Sequence, residues 1–160
     1  MGIRPLRVLF LCTGNSCRSP MGEAILRHLG GERFEACSAG SHPAGFVHDL
    51  AVRALTRLRV PVGELRSKSW DEFAGQPLDV VITVCDNAAA LPCPVWHGPA
   101  VRSHWALPDP ATFLGTPDEM LEYAVRVARR LYAKIEGLVE VDFSLPRGEV
   151  QRRLDRLGEI

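Results

Sequence analysis

The sequence predicts an α/β fold, a single domain built on a parallel four-stranded sheet with helices on both faces. Three observations carry that expectation. Short apolar runs alternate along the chain with longer segments whose apolar residues recur at helical spacing. Residues 8–11 are apolar throughout and residues 80–84 are β-branched throughout, the pattern of strands buried on both faces of a parallel sheet. A length of 160 residues without an internal repeat suits one domain around one core.

Taken in order, residues 6–11 form the first strand and residues 18–29 the first helix, with Met21, Ala24, Ile25, His28 and Leu29 on one face and Gly30-Gly31 as its stop. Residues 34–39 form the second strand, closed by Gly40. After a loop at 41–45, Val47, Leu50, Ala51, Ala54, Leu55 and Leu58 fall at helical spacing and place the second helix there, before Val60-Pro61-Val62-Gly63 breaks it. Residues 67–74 read as a short helix opened by a serine cap. The β-branched run 80–84 is the third strand and leads into Cys85-Asp86. A stretch marked by Pro92, Pro94 and Pro99 precedes a shorter strand at 101–105. The longest helix covers 117–138, with Met120, Leu121, Ala124, Ala128, Leu131, Tyr132 and Ile135 facing inward. A charged, weakly amphipathic helix at 149–157 is expected to dock loosely or to mediate contacts. The domain proper is expected over residues 1–140, with 141–160 as a C-terminal helical extension of it.

Charge is balanced, 19 basic against 19 acidic residues, so bulk electrostatics give no reason to expect nucleic acid or a membrane surface as partner. The N-terminal apolar run is too short for a signal peptide or a membrane span, and position 6 lacks the Ser or Thr of a myristoylation pattern. Five cysteines, an odd number, argue against a structural disulfide framework and fit a cytoplasmic protein whose thiols do chemistry.

The chain is organised around Cys12-Thr13-Gly14-Asn15-Ser16-Cys17-Arg18-Ser19, a tight loop between a buried strand and an amphipathic helix. Successive N–H groups of residues 13–19 can turn inward as an anion-binding nest, and the helix points its positive end at the same spot. Arg18 adds two parallel donors suited to a tetrahedral oxyanion such as phosphate or a phosphate analogue. Cys12 stands at the floor of this cradle, where a positive field activates a thiol as a nucleophile. Ser19 is placed to donate its hydroxyl to that sulfur, or simply to cap the helix. The bland alternative is an ordinary strand-to-helix turn with a small buried cysteine; strand before, helix after, and Gly14 and Asn15 inside the loop favour the catalytic reading.

Residues 8–23, VLFLCTGNSCRSPMGE, resemble the active-site loop of the low-molecular-weight protein tyrosine phosphatases and equally that of their relatives, the thioredoxin-coupled arsenate reductases. Ser38-Ala39-Gly40, Ser67-Lys68-Ser69 and Asp109-Pro110 extend the resemblance over most of residues 6–140. It implies the sheet order 2-1-3-4 of the phosphotyrosine phosphatase I-like fold, with Asn15 bracing the loop and Asp109 as general acid. The plainer role for Asp109 is to shape a Pro-Asp-Pro turn. Phosphatases of the family follow this motif with tyrosines that hold an aromatic substrate; here the chain reads Pro110-Ala111-Thr112-Phe113. With strands one and three adjacent, about 4.8 Å apart, Cys12 and Cys85 come within the 4.4–6.8 Å (approximate) Cα range of a disulfide after small loop movement.

Val84-Cys85-Asp86-Asn87-Ala88-Ala89, then Cys93-Pro94-Val95, together with His104-Trp105, resemble the reductase branch. That resemblance implies a relay: Cys12 attacks arsenic, Cys85 attacks Cys12 as arsenite leaves, and Cys93 takes over the disulfide for reduction by thioredoxin. The Cys85–Cys93 spacing is one residue longer than the familiar one. Cys85 and Cys93 as inert thiols of a phosphatase, or as zinc ligands with His97 and His104, are the competing readings; a phospho-binding module without catalysis is a third. Cys17 is expected to guard the nucleophile by a reversible disulfide, Cys37 to be core, His42 to support the loop, and Trp70 and Trp96 to be aromatic anchors. No tightly bound cofactor or metal is expected; Glu23 and Ser38 match potassium-binding positions of some arsenate reductases, but Lys68 stands where an acidic ligand is needed.

Overall fold

The computed structural model describes residues 4–85 and 99–160. Its centre is a four-stranded parallel sheet in the order β2-β1-β3-β4. Strand β1, Leu6–Cys12, lies between β2, Phe34–Gly40, and β3, Val80–Thr83, with β4, Val101–His104, at the far edge. Register runs Cys12 opposite Gly40 on one side and Leu11 opposite Thr83 on the other. The unbroken apolar runs are explained by what covers them. Val8, Phe10 and Ile82 face the main core beneath the long helices, while Leu9, Leu11 and Val81 face a smaller cluster formed with Phe73, Leu78 and Ala100.

Helix α1, Arg18–Gly30, stops at Gly31, whose φ of 57° is a left-handed conformation suited to glycine. Within α1, a Cβ on Gly22 would lie 2.8 Å from the Phe10 ring, so the helix sits directly on β1. That close seat fixes the N-terminus of α1 over the carboxyl end of the strand. Helix α2, Asp49–Arg57, begins later than the apolar spacing suggests. His48 is extended and its Nδ1 accepts from the Leu50 amide at 3.0 Å, so the cap excludes Val47 from the helix. The expected helix at 67–74 is one 3₁₀ turn, Trp70–Phe73, capped by Ser69 rather than Ser67. Trp70 packs on its edge of the smaller cluster.

Helix α3, Pro117–Val139, opens with a Thr116/Glu119 capping box and Pro117 in the first turn, and buries Ala124, Ala128, Leu131 and Ile135 as the spacing requires. The last helix, α4, Arg147–Gly158, corrects the expectation of loose docking. Val150 and Leu154, spaced i, i+4, are buried in the main core. The buried Trp105 indole donates to the Leu154 carbonyl at 2.9 Å, and Ser103 Oγ donates to Asp155 at 2.7 Å. Buried Lys134 gives its ammonium to the carbonyls of Leu157 and Gly158, at the negative end of the helix. Few apolar residues suffice because the polar contacts around them are satisfied. Among the described residues, no helix is long and apolar enough to cross a membrane.

Replacing Leu154 with Ala is expected to lower the unfolding free energy by about 2–4 kcal/mol, the cost of a large-to-small change in a closed core. Urea denaturation checks this; a change below about 0.5 kcal/mol would mean that α4 is peripheral.

Candidate active site

Residues 13–17 form the turn from the end of β1 at Cys12 into the start of α1 at Arg18. Its shape follows from where its carbonyls go. The segment after β2 runs alongside and takes them one by one: His42 N–H donates to Thr13 O at 2.9 Å, Ala44 N–H to Gly14 O at 2.8 Å and His48 N–H to Ser16 O at 2.7 Å. Ser67 Oγ also donates to Gly14 O, at 3.2 Å, while accepting from the Gly45 amide. In a planar trans peptide the N–H points opposite to the C=O. With the carbonyls of 13, 14 and 16 directed toward the flanking segment, the amides of Gly14, Asn15 and Cys17 face the other way, into the loop. The first turn of α1 carries no acidic residue, so its positive end remains available to an anion.

Asn15 adopts φ 45°, the left-handed conformation that folds the chain back on itself, and is wholly buried. Its side chain fixes proton positions. The Lys68 amide donates to Asn15 Oδ1 at 2.8 Å, so the other amide atom is the NH₂ group, which donates to Ser19 Oγ at 2.8 Å. Ser19 Oγ is 2.8 Å from Cys12 Sγ. That hydroxyl accepts from Asn15 and keeps its own proton, which it donates to the sulfur whenever Cys12 is a thiolate. Asn15 therefore reaches the Cys12 sulfur through Ser19, and both Ser19 and Cys12 are buried.

Arg18 lies at the start of α1, nearly buried, with NH1 donating to Leu107 O at 3.0 Å and NH2 3.6 Å from Asp109 Oδ2. The structure thus brings Cys12, Arg18 and Asp109 to one place. Asp109 also has its plainer role: Oδ1 accepts from the Ala111 amide at 3.0 Å and caps the 3₁₀ turn Pro110–Thr112. Phe113 stacks on Tyr123, ring centroids 4.4 Å apart at 8°, so one face of that ring is engaged within the protein. Cys17 is buried beside Cys12; burial first, then the negative charges of Asp109 and Cys12, push its thiol up to about 12 against the opposing pull of Arg18. Cys37, on β2, is likewise pushed up by burial and packs in the smaller cluster.

Cys85 follows β3. Register places Val84 level with Cys12, and the Val84 amide donates to Leu11 O at 2.9 Å. In a continuing strand the next side chain would point to the opposite face. The strand instead ends at Thr83, and Cys85 is buried in the same cluster as Cys12. None of Cys12, Cys17, Cys37 and Cys85 is in a disulfide. Cys93, Trp96 and His97 lie outside the described residues. Among the described residues no group of His, Cys, Asp or Glu is placed to hold a metal ion.

Two residues of the site escaped sequence reasoning. A Cβ on Gly40 would lie 2.5 Å from Thr13 O and 2.9 Å from the Asn15 amide, so only glycine lets β2 abut the loop. Lys68 stood out in the Ser67-Lys68-Ser69 match and as a misfit to a potassium site, without a role of its own. Its Nζ donates to Ser38 O at 3.0 Å and Arg66 O at 2.9 Å and lies 3.5 Å from Glu23 Oε1. Buried Glu23 also accepts from Ser38 Oγ at 2.6 Å and pairs with Arg27. Potassium, which needs those oxygens as ligands, does not fit while the ammonium stands among them.

A sequence profile of the low-molecular-weight phosphotyrosine protein phosphatases matches residues 7–141. The chain belongs to that family. An arsenate reductase of Halalkalibacterium halodurans is 35% identical over 133 residues, covering 83% of this chain and 94% of the relative. Among solved structures, an arsenate reductase from Archaeoglobus fulgidus superposes with a TM-score of 0.68 at 25% identity, over 84% of this chain and 99% of the other. A thioredoxin-dependent arsenate reductase from Corynebacterium glutamicum gives 0.58 at 28% identity, over 85% of this chain and 64% of the other. The family match ends near the C-terminus of α3, so α4 lies beyond it.

Replacing Ser19 with Ala is expected to slow alkylation of Cys12 by iodoacetamide about tenfold at pH 7, the effect of one lost hydrogen bond of about 1.4 kcal/mol; peptide mass mapping reads the rate. Cys17, held near 12, leaves only ~1 in 10,000 thiols ionised at pH 8. It should therefore stay unlabelled in the folded protein. In the unfolded chain this thiol ionises near its ordinary value of 9.0, so the fold is fully stable with respect to it below that pH and loses stability as pH rises toward about 12. Substitution of Cys17 by Ala should flatten this part of the stability profile, which denaturation at several pH values tests.

Proposed function

We propose that the protein reduces arsenate to arsenite, with thioredoxin returning the oxidised enzyme to its thiol form. The observation that carries the reading is Cys85, a buried thiol just past the end of β3, where the Val84 amide is bonded to Leu11 O beside Cys12. In the proposed sequence the oxyanion lies on the inward amides and Arg18, and the Cys12 sulfur attacks arsenic. A hydroxyl leaves as water, protonated by Asp109. The Cys85 sulfur then attacks Cys12; the arsenic–sulfur bond breaks, its electron pair stays on arsenic, and arsenite departs. Cys93 attacks Cys85, freeing Cys12 and leaving a Cys85–Cys93 disulfide for thioredoxin. Arsenate gains two electrons and two thiols lose them, so each turnover is balanced by one dithiol of the reductant. The relatives named as arsenate reductases, one of them thioredoxin-dependent, support this assignment.

The second reading is a low-molecular-weight tyrosine phosphatase. The family's own description favours it, and Cys12, Arg18 and Asp109 are sufficient for it: nucleophile, clamp and acid. The engaged face of Phe113 weighs against an aromatic substrate wall at that position.

Arsenate-dependent NADPH consumption with thioredoxin and thioredoxin reductase, run beside an aryl phosphate assay, decides between them. Loss of arsenate turnover by more than about 100-fold in C85S and C93S, with aryl phosphate cleavage retained, is the expected outcome. No arsenate turnover in the wild type, with aryl phosphate cleavage indifferent to both cysteines, would make the protein a phosphatase.

A further inference from the structure

We infer that Lys68 supplies from within the chain the positive charge that a bound monovalent cation would otherwise provide, and that it is the positioning residue for the Cys12 thiol. The seat it occupies has the chemistry of a hard-cation site: the carbonyls of Ser38 and Arg66 and the carboxylate of Glu23, all oxygen. An ammonium carries the same single charge as potassium and has three donors to give these oxygens. Glu23 is 5% exposed, and a buried carboxylate needs a partner on each side. Arg27 meets Oε2, and Lys68 lies against Oε1, which Ser38 Oγ also donates to.

The rest of Lys68 is tied as firmly. Its carbonyl accepts from the Gly40 amide at 3.0 Å, and its own amide holds Asn15 Oδ1. The side chain therefore clamps the 66–68 segment onto β2, and the backbone of the same residue sets the Asn15 amide. Asn15 in turn directs the Ser19 hydroxyl at Cys12. Release of the ammonium loosens the first link of that series. None of this depends on which oxyanion the site processes.

The test compares the wild type, K68A and K68M in potassium chloride and in choline chloride of equal ionic strength. It reads the rate of Cys12 alkylation at pH 7 and the thermal midpoint, neither of which requires arsenate or thioredoxin. The wild type is expected to behave alike in both salts. K68A in choline should alkylate about tenfold more slowly, as for one charge-assisted hydrogen bond lost, and should regain most of that rate and its midpoint in potassium. K68M, whose stem still fills the seat, should lose as much and regain nothing. A wild type that speeds up or melts later in potassium overturns the inference. So does a K68A protein that keeps the wild-type rate, or one whose loss is the same in both salts. If K68A does not fold, K68M decides: a wild-type rate overturns the inference and a tenfold loss insensitive to salt supports it.

Discussion

A peptide group cannot point its carbonyl and its amide the same way, and the whole site depends on that constraint. A nest of inward N–H groups requires that every carbonyl of the turn find a donor outside it, or be buried without one at a cost of about 1–3 kcal/mol each. Here the donors come from the segment between β2 and α2, whose amides reach Thr13, Gly14 and Ser16 in succession. The inward amides of the turn are therefore as much a product of residues 42–48 as of residues 12–19. That accounts for the closeness of β2 to the loop and for glycine at position 40.

The same logic carries outward. Orienting the Ser19 proton needs a fixed Asn15 amide, which needs a fixed backbone at Lys68, which is fixed by the charges buried around Glu23. Each polar group in this series is satisfied by the next, so a buried network that would be costly in part is tolerable as a whole. Packing supplies the frame: Gly22 against Phe10 holds the helix on the strand, and Trp105 with Leu154 ties the edge of the sheet to the last helix.

Much of this was legible in the sequence. The β1–loop–α1 unit could be read because strand, turn and helix fall in one short window with distinct apolar periods. The sheet order came from family resemblance, and the placement of Cys85 at a strand end followed from the apolar run before it. Local capping was harder. Val47 has the right spacing for helix α2 but the wrong backbone, because the His48 ring closes the first turn; Ser67 and Ser69 compete as caps, and Ser67 is drawn instead to Gly14 O. The tightness of α4 was hidden because its anchors, Trp105 and Lys134, lie far away in the chain. The reach of Lys68 is hidden for the same reason, since its partners stand 30 and 53 residues off.

In the resting enzyme Arg18 is not idle; it holds Leu107 O and leans on Asp109. On the proposed reaction, an arriving oxyanion draws the guanidinium from a standing neighbour, and a departing one leaves that neighbour to reclaim it. The carboxylate thus behaves as a tethered competitor that travels with the protein. Such a competitor sets a ceiling on how tightly any spent product can linger, and it shortens the occupancy of the cradle by anions that bind without reacting.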